Sequence, residues 1–84
     1  MNRAQALDMV KESISDVVPG ADVAALAEDD AFRDVLEMDS LDFLRFVEVL
    51  GERSGVRVDD EDATRLTTLA GSADFLLART SPSS

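Results

Sequence analysis

Apolar residues recur every three or four positions in three separate segments of this chain. Strand-like alternation occurs once, in Val56-Arg57-Val58, and no second such run exists to pair with it. A lone short strand leaves its backbone groups without partners, so the segment is expected as an extended loop and the fold class as all-α. The first helical segment runs from about Arg3 to Val18, with Leu7, Val10, Ile14, Val17 and Val18 on one face and Lys11, Glu12 and Asp16 pointing outward. Asn2 with Gln5 three residues on predicts a capping box, and Pro19-Gly20 stops the helix. The second runs from about Ser40 to Arg53, with Asp39 as its N-cap and Ser54-Gly55 at its end. Phe43, Phe46, Val47 and Leu50 share an arc of about 100° that is expected to face the core. Leu41 and Leu44 fall on the opposite side, beside Asp42, Arg45, Glu48 and Glu52. The third runs from Leu69 to about Arg79, capped by Thr67 or Thr68, with Leu69, Ala73, Leu76 and Leu77 as its apolar face and Phe75 beside it.

Residues 20–38 form a long connection. Val23, Ala24, Leu26 and Ala27 can make a helical turn, and Phe32, Val35 and Leu36 form a second small apolar cluster. This loop is expected to be pinned to the core through Phe32 and Leu36. Asp59-Asp60-Glu61-Asp62 places negative charge where a short helix can begin, with Ala63 and Leu66 as its buried side and the acidic start solvated. The run lacks the alternating ligands and central glycine of a calcium loop, so no metal site is expected. The architecture predicted is a small four-helix bundle, three main helices plus a short one, with a long loop after the first helix. It occupies a single domain over residues 1–79, and the small, polar, proline-broken residues 80–84 are expected to be a flexible tail.

Composition narrows the chemistry. The 84 residues include no Cys and no His, which excludes disulfides, zinc–thiolate sites and imidazole-based catalysis. There is no Trp or Tyr on which nucleobases could stack, and 18 acidic against 8 basic residues give a net charge of −10. That field repels nucleic acid and anionic membranes and favours a basic protein surface as partner. No apolar run approaches the roughly 20 residues of a membrane span. The amino-terminal residues lead into a charged amphipathic stretch rather than an apolar signal core, so a cytoplasmic location is expected, and the chain is expected to be a monomer.

The most informative residues are Asp39-Ser40-Leu41. A serine at a helix N-terminus, just after a long loop, is exposed and lies at the positive end of the helix dipole, where an attached phosphate is stabilised. With no base near it in sequence, Ser40 is a poor nucleophile by itself and a better acceptor of modification by another enzyme. Leu41 and Leu44 form an apolar spot beside it, ringed by Asp39, Asp42, Glu48 and Glu52. On local pattern alone, Ser40 reads as an ordinary cap or first-turn serine, and the two leucines can be isolated surface residues.

Here the chain resembles the acyl carrier protein family. Leu36-Glu37-Met38-Asp39-Ser40-Leu41-Asp42 is similar to that family's Leu-Gly-x-Asp-Ser-Leu-Asp pattern. The resemblance extends to Phe32 with Asp34-Val35-Leu36 upstream, and to Asp59–Asp62 and Leu66-Thr67-Thr68-Leu69 downstream, covering about residues 4 to 78. It implies a non-enzymatic carrier with 4'-phosphopantetheine attached covalently to Ser40, flanked by Asp39 and Leu41. It also implies a phosphopantetheinyl transferase and acyl-loading and acyl-processing enzymes with basic docking surfaces as partners. These would meet Leu41, Asp42, Leu44, Arg45, Glu48 and Glu52, and Phe43, Phe46 and Leu50 would shelter the acyl chain. Fatty acid, polyketide or related lipid biosynthesis is the implied setting. An aminoacyl or peptidyl carrier with the same arm is the alternative, as is an unmodified acidic adaptor. The chain departs from the family at Glu37, where a glycine is usual, at Ser54, where an apolar residue is common, and at Arg45, Gly51 and Arg53. Gly51 inside the helix is expected to cost about 1 kcal/mol relative to Ala.

Overall fold

The computed structural model describes residues 1–80; of the tail expected over 80–84, residue 80 ends the last helix and residues 81–84 lie outside the described residues. Helix α1 spans Arg3–Val17. The Asn2 side chain accepts from the Gln5 N–H at 2.8 Å, and the Gln5 side chain accepts from the Asn2 N–H at 2.9 Å, so the predicted capping box forms. A 3₁₀ turn at Val23–Ala25 and a one-turn helix α2, Phe32–Val35, divide the first connection. Helix α3 spans Ser40–Ser54 and α4 Leu69–Thr80. The short helix expected near Asp59 is a 3₁₀ segment, Asp60–Arg65. Helix α4 continues one residue past its predicted end, and the Thr80 hydroxyl donates to the Leu76 carbonyl at 2.7 Å. Val56-Arg57-Val58 is extended, and the described residues contain no strand, only an isolated bridge between Ala31 and Thr68.

Helix α1 packs against both α3 and α4. Val10 and Ile14 from α1, Phe46 and Leu50 from α3, and Leu69, Ala73 and Leu76 from α4 are fully buried, as their helical spacing predicts. Phe32 and Leu66 close the core from the connections. Several positions differ from expectation. Leu7, Val18 and Leu77 are only half-buried, whereas Ala6, Ser13 and Ser72 are fully buried. Small side chains suit the close approach of packed helices, and apolar periodicity does not reveal a buried serine. Ser13 satisfies its hydroxyl on the Met9 carbonyl at 2.8 Å. Val35, expected in the Phe32 cluster, is 56% exposed because α2 is a single turn and buries only Phe32.

The acidic start at Asp59–Asp62 is solvated only in part. Asp59, Asp60 and Glu61 are exposed, but Asp62 is buried. Its carboxylate accepts from the Asp59 N–H at 3.1 Å and pairs with Arg79 of α4 at 3.0 Å, while the Arg79 guanidinium also lies 4.9 Å from the Phe75 ring centre. Buried charge persists where it is paired and hydrogen-bonded, and here the pair fastens the 3₁₀ segment to α4.

Three contacts hold the long connection. The Phe32 N–H donates to the Thr67 carbonyl at 3.2 Å, and the Ala70 N–H to the Glu28 carbonyl at 2.9 Å. Arg3 bridges Glu28 at 2.5 Å and Asp74 at 2.7 Å, and these bonds, Glu28 first, raise its guanidinium pKa above the ordinary value. The loop is thus tied to the start of α1 and to the first half of α4. Thr68 rather than Thr67 caps α4, accepting from the Gly71 N–H at 2.9 Å.

Gly51 lies inside α3, and a Cβ there would sit 3.2 Å from the Val56 carbonyl oxygen. The chain returns tightly over this position after Gly55, whose φ of 72° ends the helix, so a side chain at Gly51 would press on the Val56 carbonyl. Ser54 joins the same turn. Its hydroxyl donates to the Leu50 carbonyl at 2.7 Å and accepts from the Val56 N–H at 3.1 Å.

Candidate functional site

The residues before Ser40 are shaped by the way α2 ends. Glu37 follows with φ of 53°, and its N–H donates to the Asp34 carbonyl at 3.2 Å. The Met38 N–H donates to the Arg33 carbonyl at 2.8 Å. These two bonds make a Schellman ending, whose left-handed residue is usually glycine. Glu37 keeps the backbone conformation that a glycine would favour and carries the steric cost of its Cβ. Met38, 5% exposed, then tucks inward and delivers Asp39 to the start of α3.

At that start, the Asp39 carboxylate accepts from the Asp42 N–H at 2.8 Å, which fulfils the predicted N-cap. The Phe43 N–H is taken by the Asp39 carbonyl at 3.0 Å. The N–H groups of Ser40 and Leu41 have no acceptor among the described residues, as the geometry of a first helical turn requires. Ser40 is exposed as the first residue of α3. Its hydroxyl lies at the positive end of a 15-residue helix.

A residue that periodicity did not single out completes the arrangement. Arg33 Nη2 donates to Ser40 Oγ at 3.2 Å, its Nε makes a long 3.4 Å contact with the Met38 carbonyl, and its guanidinium lies 5.1 Å from the centre of the Phe43 ring. Among the described residues no carboxylate pairs with Arg33, whereas Arg3, Arg53, Arg57 and Arg79 all pair with acids. A lone cation among Asp29, Asp30, Asp34 and Glu37 was the available sequence signal. Only the turn at Glu37 brings it to the serine.

The remaining candidates separate into two faces of α3. Leu41 and Leu44 are 71% and 54% exposed, and Arg45, Glu48 and Glu52 are exposed with them, while Asp42 is half-buried. Among the described residues Arg45 forms no ion pair, so these charges are not consumed in pairs along the helix. On the other face, Phe46 and Leu50 are fully buried and Phe43 half-buried, its ring centre 6.1 Å from that of Phe46. The Phe46 and Leu50 side chains thus belong to a closed core rather than to an open pocket. A surface hollow between α1 and α3, lined by Asp8, Lys11, Glu12, Asp16 and Arg53, is charged and lies about 20 Å along α3 from Ser40.

The donor set at Ser40 suits a phosphodiester. It combines an exposed hydroxyl, unused backbone N–H groups in the first turn and a guanidinium already on the oxygen. Known proteins resemble this chain over most of its length. A family profile described as the phosphopantetheine attachment site matches residues 9–76. The acyl carrier protein of Rubrobacter xylanophilus is 31% identical over 77 residues, covering 92% of this chain and 94% of its own. The acyl carrier protein of Thermosynechococcus vestitus is 32% identical over 76 residues, covering 90% and 93%.

Proposed function

Because the chain belongs to the acyl carrier protein family, whose prosthetic group is 4'-phosphopantetheine, we propose that Ser40 is the residue that carries the arm. As a family member the chain is a carrier and not an enzyme. The observation that supports Ser40 is its place as the exposed first residue of α3, behind the Asp39 cap and under the Arg33 guanidinium.

Among the described residues, the only side chain bonded to Ser40 Oγ is a guanidinium, which donates and cannot take a proton. The serine therefore depends on a base of the phosphopantetheinyl transferase. Ser40 Oγ forms a bond to the pantetheine-side phosphorus of coenzyme A, the bond to the bridging oxygen breaks, and adenosine 3',5'-bisphosphate leaves with that electron pair. The helix N-terminus then stabilises the new negative charge. The thiol of the arm, when present, holds an acyl group as a thioester.

Leu41 and Leu44 with Asp42, Arg45, Glu48 and Glu52 form the face offered to partners. An apolar spot ringed mainly by carboxylates suits enzymes with basic docking surfaces. Phe43, Phe46 and Leu50 shelter the acyl chain only after the helices part, with half-buried Phe43 at the opening, since Phe46 and Leu50 are sealed at rest. The protein acts as a monomeric domain that ends with α4 at Thr80, in the cytoplasm, within fatty acid, polyketide or related lipid biosynthesis. Among the described residues no helix is long and apolar enough to cross a membrane.

Intact mass before and after treatment with a transferase, magnesium and coenzyme A tests the attachment. A gain of one phosphopantetheine on the peptide containing Ser40, absent in Ser40→Ala, is expected. A folded wild type that gains nothing overturns the proposal and points to the unmodified adaptor.

A further inference from the structure

We propose that Arg33 is a positioning residue for the arm, its guanidinium holding the phosphodiester on Ser40. The inference rests on Ser40 being the attached residue and goes beyond it to a residue of α2. Three observations carry it. Arg33 Nη2 already donates to Ser40 Oγ, the oxygen that would become the ester bridge to phosphorus. The guanidinium is held in place from two other sides, by the Met38 carbonyl at 3.4 Å and by the Phe43 ring at 5.1 Å. No described carboxylate competes for it, in a chain of 18 acids.

The charge balance gives the contact a purpose. A phosphodiester adds a negative charge beside Asp39 and Asp42, and like charges that close repel. Arg33 offsets this, and its planar fork can bond a nonbridging phosphate oxygen while keeping its seat on Phe43. The root of the arm is thereby biased toward the α2 side of α3, whereas Leu41 and Leu44 stay exposed for partners.

The test uses holo protein made with transferase and coenzyme A, with modification at Ser40 verified by mass and peptide analysis. The phosphorus-31 resonance of the diester is compared in wild type, Arg33→Gln, Arg33→Lys and, as a charge control, Arg57→Gln. Arg57 is 91% exposed and lies in the loop after α3. A displaced resonance is expected in Arg33→Gln and partial recovery in Arg33→Lys, which keeps the charge but not the fork. Arg57→Gln should superimpose on wild type. Added salt should move the wild-type resonance toward that of Arg33→Gln, because an exposed pair is screened. This titration requires no variant to fold. Ser40 modified, with a resonance that neither Arg33→Gln nor salt displaces, overturns the role of Arg33 and leaves the attachment intact. A folded wild type never modified at Ser40 overturns the attachment itself, and the role of Arg33 with it.

Discussion

The Phe32 ring meets the Phe46 ring edge-on, with centres 5.1 Å apart and planes inclined at 70°. Both rings are fully buried, so this contact seats the single turn of α2 against α3. The next residue along from Phe32 is Arg33, whose guanidinium reaches Ser40. The position of a surface cation at the proposed attachment site is thus set by an aromatic pair in the core.

Phe32→Leu keeps an apolar side chain but loses the edge-on geometry. It should lower stability by about 1 kcal/mol, and Phe32→Ala by about 3–5 kcal/mol. Urea denaturation followed by circular dichroism measures both. A Phe32→Ala cost close to zero would show that α2 is not anchored through this ring.

Glu37→Gly should stabilise the protein. A side chain in the left-handed region costs about 1–2 kcal/mol, and the extra freedom of glycine in the unfolded chain returns about 0.5–1 kcal/mol of that. A net gain of about 0.5–1 kcal/mol is expected in the urea midpoint at unchanged slope. Glu37→Ala keeps the Cβ and should give no comparable gain.

Gly71→Ala should destabilise by about 1–3 kcal/mol although it raises helix propensity. A Cβ at Gly71 would lie 2.7 Å from the Arg65 carbonyl oxygen, and backbone has to move to admit it. Thermal melts of the two proteins decide this. An unchanged or higher melting temperature would mean that the 3₁₀ segment yields at no cost.

Asp62→Ala removes the acceptor of the Asp59 N–H together with the partner of Arg79, and should cost about 1–3 kcal/mol. Asp62→Asn retains an acceptor and loses only the charge, so it should cost less. Equal losses in a denaturant series would place the whole effect in the ion pair.

Leu44→Ala should leave stability within about 0.5 kcal/mol of wild type, because the side chain is 54% exposed. If this face docks partners, the kcat/KM for transfer of the arm should fall roughly fivefold, equivalent to about 1 kcal/mol of lost contact. A transferase indifferent to both Leu41→Ala and Leu44→Ala would remove these residues from the docking face.

Features set by neighbours a few residues apart could be read from the chain alone. The Asn2–Gln5 box, the Asp39 cap, the stop at Gly55 and the burial of Phe46 and Leu50 all follow from hydrogen bonds or helical spacing within one or two turns. The exposure of Leu41 and Leu44 followed from the same geometry, and with it the outline of the face beside Ser40. Other features arise only where distant chain segments meet. Asp62 is buried because Arg79 arrives from α4, and a side chain at Gly51 would crowd the Val56 carbonyl because the chain folds back on it. Val35 faces solvent because α2 is one turn long and only Phe32 reaches the core. Arg33 reaches Ser40 because the left-handed turn at Glu37 reverses the chain while Phe32 is held in place. Periodicity records which face of a helix is apolar. It carries no information on which polar group the rest of the fold will bring to that helix's end.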